Sequence, residues 1–293
     1  LEFPNNYKFD SLYLNKNFDA ISNELLVKDL DEFCIKNGIY NNRSVILSLS
    51  GGVDSMVTLA CLLHLQKKYN NSFEIYTATI DYSLRKESKY EADFLKKYTK
   101  TMGVQLVVAS VEGISRKKEG SGSRTEFEEG SRNLRFNTYK KIITDNNLSL
   151  NTGVLVGHHQ DDIIENIFTN SMRGANIMDL EVMKPVSTIH GIKIFRPFIH
   201  RKKDVIYKFS HTYNVPYFLD TTPLWSNRGK MRNAIFPLLD SVFTKAWRDN
   251  LKHLGTQSNE WGEYVEDYII NPWFEEIELN NDNSYIKIPI KHQ

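Results

Sequence analysis

Cysteine is almost missing from this chain. Cys34 and Cys61 are the only two in 293 residues, and no Cys-x-x-Cys pair exists. A cysteine-held zinc or iron–sulfur centre does not fit that pattern. Both residues sit inside apolar helical spacing, so they read as buried free thiols in a reducing compartment. No window approaches the roughly 18 consecutive apolar residues of a membrane span. No charged-then-apolar signal segment opens the chain. A cytoplasmic protein is the expectation, and because the sequence begins at Leu1 rather than Met an organellar address stays open. Internal repeats and long low-complexity tracts are also missing.

Overall charge is nearly balanced, at +1, which by itself calls for no polyanionic partner. The distribution is uneven. Residues 172–233 carry 11 Lys/Arg against 4 Asp/Glu, and residues 260–293 carry 2 against 8. A basic stretch of that kind is either a solvated surface or an RNA footprint. Hydrophobic residues make up 41% and charged residues 25%, the balance of a soluble globular protein. The length allows one large domain, alone or with a smaller appendage.

Apolar spacing predicts an alternation of strands and helices. Leu25, Leu26, Leu30 and Phe33 place a helix near 19–37. Val45, Ile46, Leu47 and Leu49 form a buried strand that runs into a glycine pair. A helix over 55–68 follows, then a strand at 73–80, a helix at 88–102 and a strand at 104–111. Another helix covers 126–143, a short strand 154–157, and a helix 161–172. Unbroken apolar strands between helices indicate a mainly parallel, doubly wound α/β sheet. Residues 112–124, rich in Gly, Ser, Lys and Arg, predict a mobile loop. Beyond Asn176 the pattern is irregular: a hairpin over 189–198 around His190-Gly191, a helix at 203–213, another within 234–254, and a strand-like run at 285–290. The expected division is an ATP-binding domain over 1–220 and a smaller, mostly helical part over 221–293.

The strongest chemical signal is Ser50-Gly51-Gly52-Val53-Asp54-Ser55, between an apolar strand and a helix. Ser-Gly-Gly alone is an ordinary turn. In this context the glycines let the backbone approach a phosphate, the helix start adds donor N–H groups, and Ser50 and Ser55 add hydroxyls. No Walker lysine is present. Asp54 would repel a bare phosphate, which suggests a shared Mg²⁺. A second cluster, His158, His159, Asp161, Asp162 and Glu165, begins where another strand ends. The three-residue spacing puts Asp162 and Glu165 on one helix face. Carboxylates there either complement the helix dipole or serve a metal and an incoming amine.

These stretches resemble the tRNA(Ile)-lysidine synthetase family of PP-loop ATP pyrophosphatases. The SGGVDS loop is similar to the superfamily's SGGxDS signature. Residues 80–88, from Ile80-Asp81 through Arg85 to Ser88, look like the family's VDHGLRxES segment. Glu128, Arg132, Arg135 and Phe136 match its ExxxRxxRY helix, and residues 157–165 match GHHxDDxxE. Arg173-Gly174 matches the RG that follows, and Arg228, Arg232 and Pro237 fall at the spacing of RNxIRxxLLP. Asn166 stands where the family has Thr, and Gly229 where it has Asn. The similarity spans roughly residues 43–240.

The resemblance implies cleavage of ATP between its α and β phosphates, with Mg²⁺ as cofactor. AMP passes to a tRNA cytidine at the first anticodon position, and lysine then displaces it. It implies isoleucine tRNA with a CAU anticodon and lysine as partners, no membrane, and leaves a homodimer open. Ser50, Gly51, Gly52, Val53, Asp54, Ser55, Asp81 and His158 would bind the nucleotide. Asp54, Asp161 and Asp162 would hold the metal, and Asp54, Asp162, Glu165 and Arg232 would serve catalysis. Arg85, Arg132, Arg135, Arg173, Arg228 and Arg232 would meet tRNA, although Arg132 and Arg135 read equally well as surface helix residues. The rival readings are a tRNA thiolation enzyme, a small-molecule amidating ligase and a catalytically inactive RNA-binding homologue. Cysteine placement speaks against the first, the basic stretch mildly against the second, and the intact Ser50, Asp54, Ser55, Asp162 and Glu165 against the third.

Overall fold

The structure is a computed structural model that describes residues 18–81, 87–110, 121–219, 226–279 and 286–287. Six strands form one sheet: β1 Ser44–Ser48, β2 Glu74–Asp81, β3 Gln105–Ser110, β4 Val154–Leu155, β5 Val186–Ile189 and β6 Ile192–Phe195. Their order is β3-β2-β1-β4-β6-β5. All neighbours are parallel except the β5–β6 hairpin, so the doubly wound, mainly parallel sheet is present.

Period-two alternation sends side chains to both faces of this sheet. Val45 and Leu47 of β1, with Ile75 of β2, join one apolar cluster. The helices α2 (Leu25–Lys36), α3 (Val53–Lys68) and α7 (Lys203–Thr212) contribute to that cluster, as does Leu95 of α4 (Glu87–Thr101). Ile46, Tyr76 and Ala78 point the other way and meet Phe136, Tyr139 and Ile142 of α5 (Ser121–Asp145). Helix α3 is buried at Val53 and from Ser55 to Leu65, and a helix covered on all sides in this way lies inside the fold. Its buried Thr58 hydroxyl donates back to the Asp54 carbonyl at 2.7 Å.

The expected first helix is broken. A short turn, α1 (Phe18–Ser22), precedes α2, with Asn23 and Glu24 between them. Helix α5 begins at Ser121, so the C-terminal end of the expected loop is helical, while residues 111–120 lie outside the described residues. The hairpin starts earlier than expected, at Val186. Of the strand-like run at 285–290, only Ile286–Lys287 is described. It pairs antiparallel with Glu278–Leu279 as β8 and β7.

Contacts divide the chain into two compact units, Leu1–Gln160 with Pro185–Thr221, and Asp161–Lys184 with Thr222–Gln293. Residues 161–184 thus group with the C-terminal part, on the other side of the boundary drawn at 220. The first unit holds the whole six-stranded sheet. The second holds α6 (Gln160–Met172) from its second residue on, α8 (Asn227–Lys230), α9 (Phe236–Phe243), α10 (Ala246–Val265), α11 (Asn271–Glu275) and the β7–β8 pair. A π-helical turn, Met231–Ile235, joins α8 to α9. Gly255 allows α10 to press on α6, since a Cβ there would stand 2.4 Å from Ile167 Cδ1. Phe236 meets Phe168 edge-on at 5.6 Å. Among the described residues no helix is long and apolar enough to cross a membrane.

Both cysteines are fully buried. Burial pushes the Cys34 thiol up to about 12 and raises that of Cys61 as well. A raised thiol stays protonated and unreactive through neutral pH. At pH 8 the native protein should therefore show almost no reaction with an aromatic disulfide reagent, and two equivalents once unfolded. Rapid labelling of a native thiol would contradict the placement of α2 or α3.

Candidate functional site

Strand order reverses between β1 and β4. From β1 the chain moves toward β2, and from β4 toward β6, so the loops leaving these adjacent strands diverge. In parallel sheets that divergence opens a crevice at the carboxyl ends of the strands, where ligands bind. The loop after β1 is the SGGVDS stretch. Gly51 has φ +80°, and a Cβ on it would stand 2.5 Å from the Phe218 ring. Its carbonyl accepts from Phe218 N–H at 2.9 Å, which pins the loop from outside. Ser55 Oγ donates to the Gly52 carbonyl at 3.0 Å and accepts from Ser50 N–H at 3.2 Å. The two serine hydroxyls are 3.2 Å apart. No side chain caps α3 at Gly52, which leaves the donor end of a buried helix to face an anion.

The loop after β4 runs from Val156 to Gln160 and lies directly against the first. A Cβ on Gly157 would be 2.8 Å from the Asp54 carbonyl carbon. Asp54 is held by Lys203 Nζ, at 2.8 Å from Oδ1 and 2.6 Å from Oδ2. His159 Nε2 lies 3.6 Å from Asp54 Oδ1 and 3.3 Å from the same ammonium. His158 accepts at Nδ1 from Arg196 Nε at 3.2 Å, and Arg196 Nη1 donates to Ser187 Oγ at 2.8 Å. Arg196 is buried, and that desolvation lowers its pKa from the ordinary value. Asp81 closes the neighbouring strand, β2, and is partly buried.

The second unit contains its own charged cluster. Asp162 and Glu165 are buried on α6, one helical turn apart. Arg228 donates through Nε to Glu165 at 2.5 Å and through Nη2 to Asp162. Arg232 donates through Nε to the other Glu165 oxygen, and its Nη2 is 3.6 Å from Asp162. Forked guanidinium contacts of this type are the strong form of ion pairing.

The sequence-expected residues are thus distributed. The loop residues 50–55 and His158 lie at the crevice, and Asp162, Glu165, Arg228 and Arg232 form one cluster. Arg132, Arg135 and Arg173 are exposed, and Asp161 is partly buried. Arg85 lies outside the described residues. Among the described residues no three His, Cys, Asp or Glu side chains group closely enough to hold a metal on their own. Sequence reasoning missed Lys203 and Arg196, and it assigned His159 no role. Lys203 sits in the run Arg201-Lys202-Lys203, which reads as a solvated helix start. Nothing local shows that it pairs with a carboxylate 149 positions earlier.

Removing both arginines would leave two buried carboxylates without counter-charge. Arg228→Ala with Arg232→Ala should cost roughly 3 kcal/mol, the low end for a buried pair because Arg228 is nearly half exposed. Adding Asp162→Asn and Glu165→Gln should recover much of that loss. Denaturant midpoints of the three proteins check this, and an unchanged midpoint for the double-arginine variant would contradict the cluster.

Residues 22–239 match the PP-loop domain family. The tRNA(Ile)-lysidine synthase of Chlamydia felis is 31% identical over 249 residues, covering 84% of this chain and 74% of that protein. The enzyme of the same name from Streptococcus agalactiae serotype V is 27% identical over 209 residues, 70% of this chain and 44% of its own length. The fold is also similar to that of the U34-tRNA thiolase NcsA from Methanococcus maripaludis, solved with its 4Fe-4S cluster. The TM-score is 0.58 over 94% of this chain and 88% of that one. At 13% identity this likeness concerns the fold alone. With its SGGVDS loop at the switch point of the sheet, the chain belongs to the tRNA(Ile)-lysidine synthase family of PP-loop proteins.

Proposed function

We propose that this protein is an ATP-dependent tRNA-modifying ligase that adenylates cytidine at the first anticodon position and joins lysine to it. The observation that carries this reading is a family match across residues 22–239 in a chain whose phosphate-type loop lies at the switch point. In the first half-reaction the cytosine O2 attacks the α phosphate of ATP and pyrophosphate departs. In the second, the lysine ε-amine attacks C2, the C2–O bond to AMP breaks, and the amine releases a proton. In-line transfer of this kind needs mainly positioning and charge neutralisation.

The loop amides of residues 50–55 and the start of α3 would hold the departing pyrophosphate. Asp81, at the end of β2, and His158, in the loop after β4, would contact the nucleotide. His158 accepts from Arg196 at Nδ1, so in that tautomer it offers an Nε2–H donor. Mg²⁺ in such sites is bound by one or two carboxylates together with substrate phosphate oxygens, and the carboxylate of Asp54 at the helix start fits that donor set. Asp54 also stands within the phosphate-type loop itself, at the first turn of α3, which favours it as the metal carboxylate. The ion supplies charge neutralisation at the phosphates when bound.

Cys34 and Cys61 are buried in helices α2 and α3, so neither thiol is presented at the crevice, which favours lysine ligation over thiolation. Isoleucine tRNA with a CAU anticodon is the proposed substrate. Exposed Arg132, Arg135, Arg173, Lys202 and Lys230 are the cations best placed for its phosphates.

Incubation with ATP, Mg²⁺, labelled lysine and a CAU-anticodon isoleucine tRNA transcript tests the reading. The digested tRNA should contain cytidine heavier by lysine minus water, and folded Asp54→Asn should release no pyrophosphate. Sulfur incorporation, or turnover without lysine transfer, would overturn it.

Glu165 is proposed to serve the amine. An incoming lysine brings a cationic α-ammonium and an ε-amine that must shed a proton, tasks that arise only in the second half-reaction. Glu165→Gln should therefore still form adenylated tRNA and pyrophosphate, while using lysine poorly, so that the intermediate accumulates on denaturing gels. Loss of pyrophosphate release in this variant would assign Glu165 to the first half-reaction.

A further inference from the structure

The SGGVDS loop has no lysine of its own, yet a lysine stands at it. Lys203 is the first residue of α7, a helix of 10 residues from the far end of the first unit. Its side chain is 20% exposed. Its ammonium touches both oxygens of Asp54 and approaches His159 Nε2, and it lies 5.5 Å from the Tyr207 ring centroid. The neighbouring basic residues are disposed differently. Arg201 is engaged by Asp29 at 2.5 and 2.6 Å, and Lys202 is exposed. Lys203 is therefore the member of this run whose charge is directed at the loop.

We infer that Lys203 is the pyrophosphate-binding cation of this loop, stored on Asp54 until the anion arrives. This rests on the ATP reading above. A helix start and a carboxylate alone would meet a phosphate chain with conflicting charge. An ammonium on a flexible four-carbon stem removes the conflict, because it can leave the carboxylate for phosphate oxygens without backbone movement. Asp54 is then released for the phosphate-bound cation, and each charge keeps a partner throughout. His159, buried beside both, limits the directions in which the ammonium can turn. The function resembles that of a lysine within a phosphate loop, but the residue is supplied from 149 positions away.

Inorganic pyrophosphate, titrated into the full chain with and without Mg²⁺ by calorimetry, tests this without any turnover. Lys203→Met keeps side-chain length and removes the charge. It should weaken pyrophosphate binding by about 10- to 100-fold, the value of one charge-assisted contact. Lys203→Arg should recover part of the loss, and circular dichroism should remain unchanged. Affinity within twofold of the unmodified protein in folded Lys203→Met would overturn the inference.

Should Lys203→Met fail to fold because Asp54 is left unpaired, the comparison moves to Asp54→Asn. There, adding Lys203→Met should still lower pyrophosphate affinity, and no further loss would overturn the inference. If the unmodified chain binds neither ATP nor pyrophosphate, the ATP reading itself fails. If it binds both and Lys203→Met binds equally well, only the role of Lys203 fails.

Discussion

The arrangement depends on one backbone contact, Gly157 against the start of α3 at Asp54. Two loops leave adjacent parallel strands and must pass each other with no side chain between them. The register that brings them level is set by β1 and β4, where Ile46 faces Val154 and Leu47 faces Leu155. Those residues are fully buried, so the apolar core immediately before the polar loops determines where those loops meet. A slip of one residue would turn each strand's side chains to the wrong face and carry the glycine away from its partner. Core and site are thus the same structural problem at this edge of the sheet.

Charge is managed in each unit by storing carboxylates on cations. Asp54 is paired with Lys203 in the first unit, as are Asp29 with Arg201 and Asp31 with Lys68. In the second unit Asp162 and Glu165 are paired with Arg228 and Arg232. Desolvated carboxylates are tolerated only with such partners. The basic excess over residues 172–233 therefore overstates the charge available to RNA, because several of its cations face inward. It is also split between the two units, so a one-dimensional count does not correspond to one surface.

Much of the first unit was legible in the sequence. Runs rich in apolar and β-branched residues at 45–49, 73–80 and 104–111 mark the strands β1, β2 and β3, and the glycine pair after the first marks the loop. Helix periodicity located α3, α4 and α6 within a residue or two. What escaped has physical reasons. The break at Asn23 and Glu24 lies in a chain segment with no proline or glycine to signal it. The β5 strand alternates exposed and half-buried positions, so its start carries little apolar signal. The end of the 112–124 segment is polar on all sides, yet it is carried into α5 by the helix that follows. At the site, the loop and the Asp162–Glu165 face were visible because their spacing is local. Lys203 and Arg196 were not, because their partners lie far away in sequence.

The π-helical turn at Met231–Ile235 acts as a phase shifter. An α-helix advances about 100° per residue, and a π turn accommodates one residue more than an α turn. Upstream of it, Arg228 addresses the buried carboxylates; downstream, Phe236 addresses Phe168 and Trp247. A chain lacking one uncharged residue of this turn would keep its net charge and nearly all of its composition. Its aromatic anchor would nevertheless be rotated by about a quarter of a circle relative to its arginines. The spacing between Arg228 and Phe236 is therefore a timing element, and counting residues across it carries information that the identity of any one of them does not.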